Sequence, residues 1–123
     1  MKVLFSIVLL VFSFDALAEW VEYSVRPNGD IHYYDDARVK AIGDRVEVWN
    51  RTRFKTSVMA ASSYQSYLRI DCAASSETIL QSTFFTDKKW SRRAMATDTN
   101  PKPERSIKPG SATEALALIL CRH

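Results

Sequence analysis

Trp20-Val21-Glu22-Tyr23-Ser24-Val25-Arg26, then Pro27-Asn28-Gly29, then Asp30-Ile31-His32-Tyr33-Tyr34-Asp35 is the stretch on which the fold turns. Both flanks alternate apolar and polar side chains with a period of two, the signature of strands with one covered face. A two-residue Asn28-Gly29 turn would place Pro27 opposite Asp30 and lose a ladder bond, because proline has no N–H. A three-residue loop avoids this: Pro27 opens a type I turn and Gly29 takes the left-handed bulge position. Arg26 then faces Asp30, Val25 faces Ile31 and Tyr23 faces Tyr33. In that register Val21, Tyr23, Val25, Ile31 and Tyr33 share one face, and Glu22, Ser24, His32 and Tyr34 the other, which reads as the polar side. A one-residue slip would mix the two sets.

His32 consequently reads as a solvated sheet histidine. A serine–histidine–acid set with Ser24 and Glu22 can be drawn on that face. It lacks the strained strand-to-helix elbow and the oxyanion donors that a nucleophile needs. Asp35-Asp36 reads as a turn, with no further carboxylates at calcium-loop spacing. No catalytic residues, no metal site and no cofactor are expected, and the chain reads as a non-enzyme.

Further strands follow the hairpin. Val39 to Ile42, Gly43-Asp44 and Arg45-Val46-Glu47-Val48-Trp49 give strand, turn, strand, with Arg51, Arg53 and Lys55 alternating beyond as a polar face would. Met59 to Ser63 reads as a connection. Tyr64, Leu68, Ile70 and Cys72 share one parity, and Gln65, Arg69 and Asp71 the other. Thr78 to Thr86 carries apolar residues on both parities, the pattern of a strand covered on both faces for part of its length.

Lys88, Lys89, Trp90, Arg92 and Arg93 form the densest basic stretch, with a tryptophan inside it. Such a run suits acidic ligands, and these five residues are the candidate ligand-binding set. The bland alternative is a solvated hairpin with Trp90 capping the core edge. Thr97 to Lys108, with Pro101 and Pro103, reads as a mobile surface loop. Pro109-Gly110 then breaks the chain, Ser111 is the expected N-cap of a helix over Ala112 to Cys121, and Glu114 completes a capping box. The apolar residues of this helix surround almost the whole cylinder, so it is expected to be buried on most sides. One side would pack on the sheet near Cys72. An overhanging loop or a second copy of the chain would cover the other, which leaves a homodimer open.

The amino-terminal end reads as a secretory signal over residues 1–18. Met1-Lys2 is followed by an apolar run from Val3 to Phe14 and by Ala16-Leu17-Ala18, with cleavage expected before Glu19. The apolar run is shorter than the roughly 20 residues of a membrane span, and no cysteine stands at the cleavage point to carry a lipid. Residues 19–123 are expected to form a single exported domain without a transmembrane segment, periplasmic or secreted. Cys72 and Cys121 are the only two cysteines. In an exported chain they read as one structural disulfide, since neither metal-ligand nor C-x-x-C spacing is present. The net charge of +3 is unchanged by removal of Lys2 and Asp15. A mild, mixed charge of this kind is common in soluble proteins, and no nucleic-acid partner is expected.

Tyr33-Tyr34-Asp35, Val46-Glu47-Val48-Trp49, Tyr67-Leu68-Arg69-Ile70-Asp71-Cys72, Phe84-Phe85, Ile107-Lys108-Pro109-Gly110-Ser111 and the Cys121 helix form an ordered set. This set resembles the surface-adhesin protein E family of Gram-negative bacteria over most of residues 19–123. The resemblance implies an α+β fold, an antiparallel sheet with one C-terminal helix tied to it by a Cys72–Cys121 disulfide. It also implies dimers, and a protein ligand such as the host laminin and vitronectin bound by the founding adhesin. Two features depart from that adhesin. The chain has no lipidation cysteine, and its basic residues stand at Arg51, Arg53 and Lys55 rather than within Val58 to Ser63. The expectation is an adhesin-like, protein-binding module. The alternative is a periplasmic accessory or inhibitor protein whose partner is another envelope protein.

Overall fold

Residues 17–92 and 94–121 are described by the computed structural model; most of the expected leader, Arg93, Arg122 and His123 lie outside them. The described chain runs through β1 (Trp20–Val25), β2 (Ile31–Asp35), β3 (Lys40–Ile42), β4 (Arg45–Val58), β5 (Ala61–Asp71), β6 (Ser76–Phe85), β7 (Ala94–Asp98) and β8 (Arg105–Ser106) to a helix, α1 (Ala112–Leu120). The eight strands form one antiparallel sheet in the order β1-β2-β4-β5-β6-β7. The long central strand β4 carries β2 along Asn50–Arg53 and β3 along Arg45–Glu47 of the same edge. In the same way β6 carries β7 near one end and β8 near the other.

The opening hairpin has the expected loop. Arg26 N donates to Asp30 O and Gly29 N to Arg26 O, both at 2.8 Å, and Val25 pairs with Ile31. Gly29 takes φ +93°, and a Cβ there would meet Lys55 Cδ at 2.4 Å, so both conformation and space demand glycine. The register beyond Ser24 corrects the sequence reading. A bulge lies between Glu22 and Ser24, so Glu22, not Tyr23, pairs with Tyr33. The extra residue swings Tyr23 onto the face of His32 and Tyr34, with ring centres 5.8 and 5.9 Å away. There the Tyr23 hydroxyl donates to Asn50 Oδ1. The two faces are also reversed. The side of His32 and Tyr34 is the covered one, with Tyr34 only 6% exposed, and the side of Ile31 and Tyr33 is open. Aromatic residues stand on both parities at Tyr33-Tyr34, so alternation alone does not decide which face is covered.

One apolar core lies on the covered face. Val48 and Ile70 of the middle strands, with Leu68 and Tyr34, close around Leu116 of α1; Ile79, Ile107 and Ala117 pack at its edge. The apolar residues on both parities of β6 have a cause other than two-sided cover. A register shift lets Leu68 pair with Ile79 but Tyr67 with Gln81. That bulge around Leu80 brings odd-numbered Ile79 and even-numbered Phe84 to the same face. The connection expected over Met59 to Ser63 shrinks to Met59-Ala60, and Ser62-Ser63 belong to β5. Thr97 to Lys108 is not a free loop either. It starts in β7, Lys102 N donates to Ile79 O at 2.8 Å, and β8 pairs with β6.

The helix starts as its sequence requires, with Ser111 Oγ accepting from Glu114 N at 3.1 Å. The return bond is displaced by one residue: Glu114 Oε1 accepts from Gly110 N at 3.1 Å rather than from Ser111 N. Only Leu116 of the helix is fully buried; Leu118 is 71% exposed. Within a single chain the helix therefore has one packed side and one open side. Cys121 is its C-cap and is bonded to Cys72, with Cα atoms 5.7 Å apart. The bridge closes a loop with a sequence separation of 49, worth about 4 kcal/mol in the chain-entropy treatment.

Candidate functional site: an aromatic and basic sheet face

The open face of the sheet collects the three tryptophans of the chain. Trp20 of β1 and Trp90 of the β6–β7 connection flank Arg51 of β4, whose guanidinium carbon lies 4.0 Å from one ring centre and 4.9 Å from the other. Pairing brings them together: Trp20 pairs with Asp35, and Arg51 pairs with Tyr33, both on the open side of β2. Trp90 meets Tyr33 edge to face at 5.7 Å. Arg51 Nε donates to Gln65 Oε1 at 2.8 Å, which holds the guanidinium flat. Further along, Trp49 stacks against Tyr67 at 4.8 Å, while Tyr67 Oη and Arg69 Nε donate to Glu47 at 3.3 and 3.0 Å. These aromatic rings are half-buried: each has a packed edge and an exposed surface.

Trp90 is placed by Asp87. The Asp87 carboxylate accepts from Lys89 N, Ser91 N, Ser91 Oγ and Arg92 N at 2.7–3.2 Å. Desolvation pushes this carboxyl up, but the Ser91 hydroxyl and the Arg92, Ser91 and Lys89 amides outweigh it and hold it at about 2. The loop so tied places Trp90 at φ +53°, a conformation that large side chains rarely take. The Trp90 indole N–H donates to Tyr64 O at 3.0 Å, which fixes the ring against the sheet.

Beside Trp90 lies a basic cleft of about 420 Å³, lined by Arg53, Lys55, Lys88 and Lys89 with Ile31 and Phe54. Lys88 Nζ donates to Lys55 O at 2.9 Å and so bridges the loop to β4. No carboxylate lines this cleft among the described residues. Of the expected set, Lys88, Lys89 and Trp90 thus come together. Arg92 enters through its backbone amide, with its side chain exposed, and Arg93 lies outside the described residues. Trp20, Tyr33, Arg51, Arg53 and Lys55 were not in the expected set. Their signal was the shared parity of Trp49, Arg51, Arg53 and Lys55, which puts their side chains on one face of β4.

His32 is not solvated. It is half-buried on the helix side, with its Nδ1 2.9 Å from Thr52 Oγ1. Glu22, the acid of the imagined catalytic set, pairs with Tyr33 and points to the opposite face. Among the described residues no cluster of three or more histidine, cysteine, aspartate or glutamate side chains is placed to hold a metal ion. None of the described helices is long and apolar enough to cross a membrane.

A one-sided sheet, a single clamped helix and a solvent-facing surface of rings and cations define a small adhesin-like binding domain. The chain belongs to the surface-adhesin protein E family, whose model matches residues 20–122. Its fold is that of Haemophilus influenzae protein E. Crystal form II of that protein superposes with a TM-score of 0.67 at 16% identity, covering 87% of this chain and 90% of that one. A second structure of it gives 0.64 at 16% identity, with 87% and 86% covered. The protein from non-typeable Haemophilus influenzae gives 0.63 at 16% identity, with 88% and 78% covered. No curated protein matches the chain by sequence. The family is one of exported or surface proteins, and family and fold together point to a non-enzymatic binding protein.

Proposed function

We propose that this protein is an exported adhesin-type module that binds a protein ligand of host matrix or serum through the face centred on Trp90. The observation that supports this reading is the Trp20–Arg51–Trp90 stack beside a cleft of four cations. Tryptophan, tyrosine and arginine are the residue types that dominate binding energy at protein interfaces. Here they lie on an open sheet face, with lysines at the rim to steer an acidic partner. The strained backbone at Trp90 points the same way, since such outliers persist where the surroundings over-determine them and gather at ligand-binding positions.

The test is surface plasmon resonance on immobilised laminin and vitronectin with residues 19–123. Trp90→Ala and a Lys88→Glu/Lys89→Glu variant should each weaken binding by about tenfold or more. Binding unchanged in both would remove the face from the reading. Absence of binding by the unaltered protein to either ligand, with an envelope protein co-purifying instead, would favour the accessory or inhibitor role.

A further inference from the structure

The long hairpin of β4 and β5 projects from one end of the sheet. β2 pairs with β4 no further than Arg53, and β6 with β5 no further than Ser63. Beyond those two residues neither strand has an outer neighbour among the described residues. Lys55 to Ala60 are all exposed, and the apex carries Val58 at 53% and Met59 at 93% exposure. Two apolar side chains thus stand at the outermost point of a two-stranded ribbon, where the turn itself gives no reason for them. Met59 and Ala60 both take positive φ, a shape in which Asn-Gly is the unstrained choice. Strain of this kind gathers at positions kept for a task other than stability.

Behind the apex the side chains are layered. Thr56 to Ser63 carries no charge, and hydroxyls meet across the ribbon, Ser57 Oγ lying 2.8 Å from Ser62 Oγ. The next layer is cationic. Arg53 and Lys55 come from β4, and the β6–β7 loop brings in Lys88 and Lys89. That loop is fastened to the base of the hairpin by Ser63 Oγ donating to Asp87 O and by Lys88 Nζ donating to Lys55 O. None of these four cations forms an ion pair among the described residues; Arg38, Arg45, Arg69, Lys102 and Arg105 do so instead. The neighbouring carboxylates are turned to other donors. Asp30 accepts from Lys55 N and Asn28 Nδ2, both at 3.1 Å, and Asp87 from the amides of its own loop. Four cations beside two carboxylates leave a positive excess behind the apex.

We propose that this end of the sheet docks on an anionic phospholipid bilayer, with Val58 and Met59 entering the acyl boundary and the four cations lying at the phosphates. The order of the layers is that of the bilayer interface itself: hydrocarbon, then an uncharged polar zone, then charge. Lys55 and Met59 are four residues apart, at most about 13 Å along the strand. Apolar side chains of interfacial segments reach about 5–10 Å into the headgroup and acyl boundary, and lysine stems span the remainder by carrying their charge towards water. The two parts need each other. A small apolar anchor binds marginally and holds only with a basic patch beside it, and each lysine or arginine near an anionic surface adds its own attraction. A soluble anion would use the cations and leave the apex in water. The apex includes no residue of the Trp90 face, so this reading does not rest on the protein ligand proposed there.

The experiment is co-sedimentation of residues 19–123 with vesicles of phosphatidylglycerol in phosphatidylcholine, about 30% anionic, and with vesicles of phosphatidylcholine alone. Binding should be saturable on the anionic vesicles. It should be weaker by about tenfold or more on the neutral ones, and likewise in about 0.5 M salt. Met59→Asp and Lys88→Glu/Lys89→Glu should each weaken it by about tenfold or more, with an unchanged far-ultraviolet circular dichroism spectrum. Met59→Asn with Ala60→Gly, which relieves the turn, should weaken binding to a similar extent while raising stability, so that the loss is not one of folding. The proposal is overturned if the protein binds anionic and neutral vesicles alike or binds neither. It is equally overturned if any of these folded variants binds anionic vesicles as the unaltered protein does. Met59→Asp leaves the Trp90 face in place, so its binding to laminin and vitronectin should be unchanged, which separates failure of this proposal from failure of that one.

Discussion

Arg51 lies face-on over Trp20, its guanidinium carbon 4.0 Å from the ring centre, and this contact joins the edge strand of the sheet to its long central strand. Trp90 closes the other side at 4.9 Å. A cation between two rings couples three chain segments that are far apart in sequence.

Arg51→Met retains the length of the side chain and removes the cation. It should lower stability by about 1 kcal/mol, the range of a partly desolvated cation–π contact. Urea denaturation monitored by tryptophan fluorescence reads this directly, and an unchanged midpoint would show that the stack contributes nothing to folding.

Leu116 is 0% exposed and lies among Val48, Leu68 and Ile70. Leu116→Ala leaves a cavity at the only contact between helix and sheet that is fully buried. The loss should be about 2–5 kcal/mol, with the disulfide intact. Leu118→Ala, on the exposed side, should cost less than about 0.5 kcal/mol. Equal losses for the two variants in thermal melts would contradict the one-sided packing.

The Asp87 carboxyl sits at about 2, against an ordinary 3.8. A group depressed in this way adds stability that is fully present above the unfolded value and is lost as pH falls through the folded one. The Trp90 indole N–H resonance should therefore stay at its native position down to about pH 4 and move as the pH approaches 2. In Asp87→Asn the resonance should be displaced already at neutral pH, and a native position there would assign the loop to other contacts.

Met59 and Ala60 form the two-residue turn between Val58 and Ala61 with φ of +49° and +69°. Turns of this shape favour Asn-Gly, and each ordinary residue in the left-handed region costs energy. Met59→Asn with Ala60→Gly should raise stability by about 1–2 kcal/mol, seen as a higher denaturation midpoint.

The parts of the fold written in local chemistry were legible in the sequence. Pro27-Asn28-Gly29 specified its loop, Ser111 its cap, and the alternation from Tyr64 to Cys72 its strand. The bulges at Tyr23 and Leu80 were not, because each is chosen by a partner on another strand: Asn50 for Tyr23, and the Leu68–Ile79 pairing for β6. The covered face was misread for the same reason, since Tyr34 is inside only because α1 returns over it. In the candidate site, Lys88, Lys89 and Trp90 stood out as a run. Trp20 and Arg51 did not, because no local pattern reports that residues 31 positions apart will stack.

The bridge from Cys72 to Cys121 places β6, β7, β8 and α1 inside one covalent ring, with the Lys88–Arg92 loop on its circumference. A trypsin-like protease that nicks that loop would therefore release nothing. The two pieces would remain one particle until a reductant separates them. The loop that presents Trp90 is thus a segment whose scission leaves the chain covalently whole.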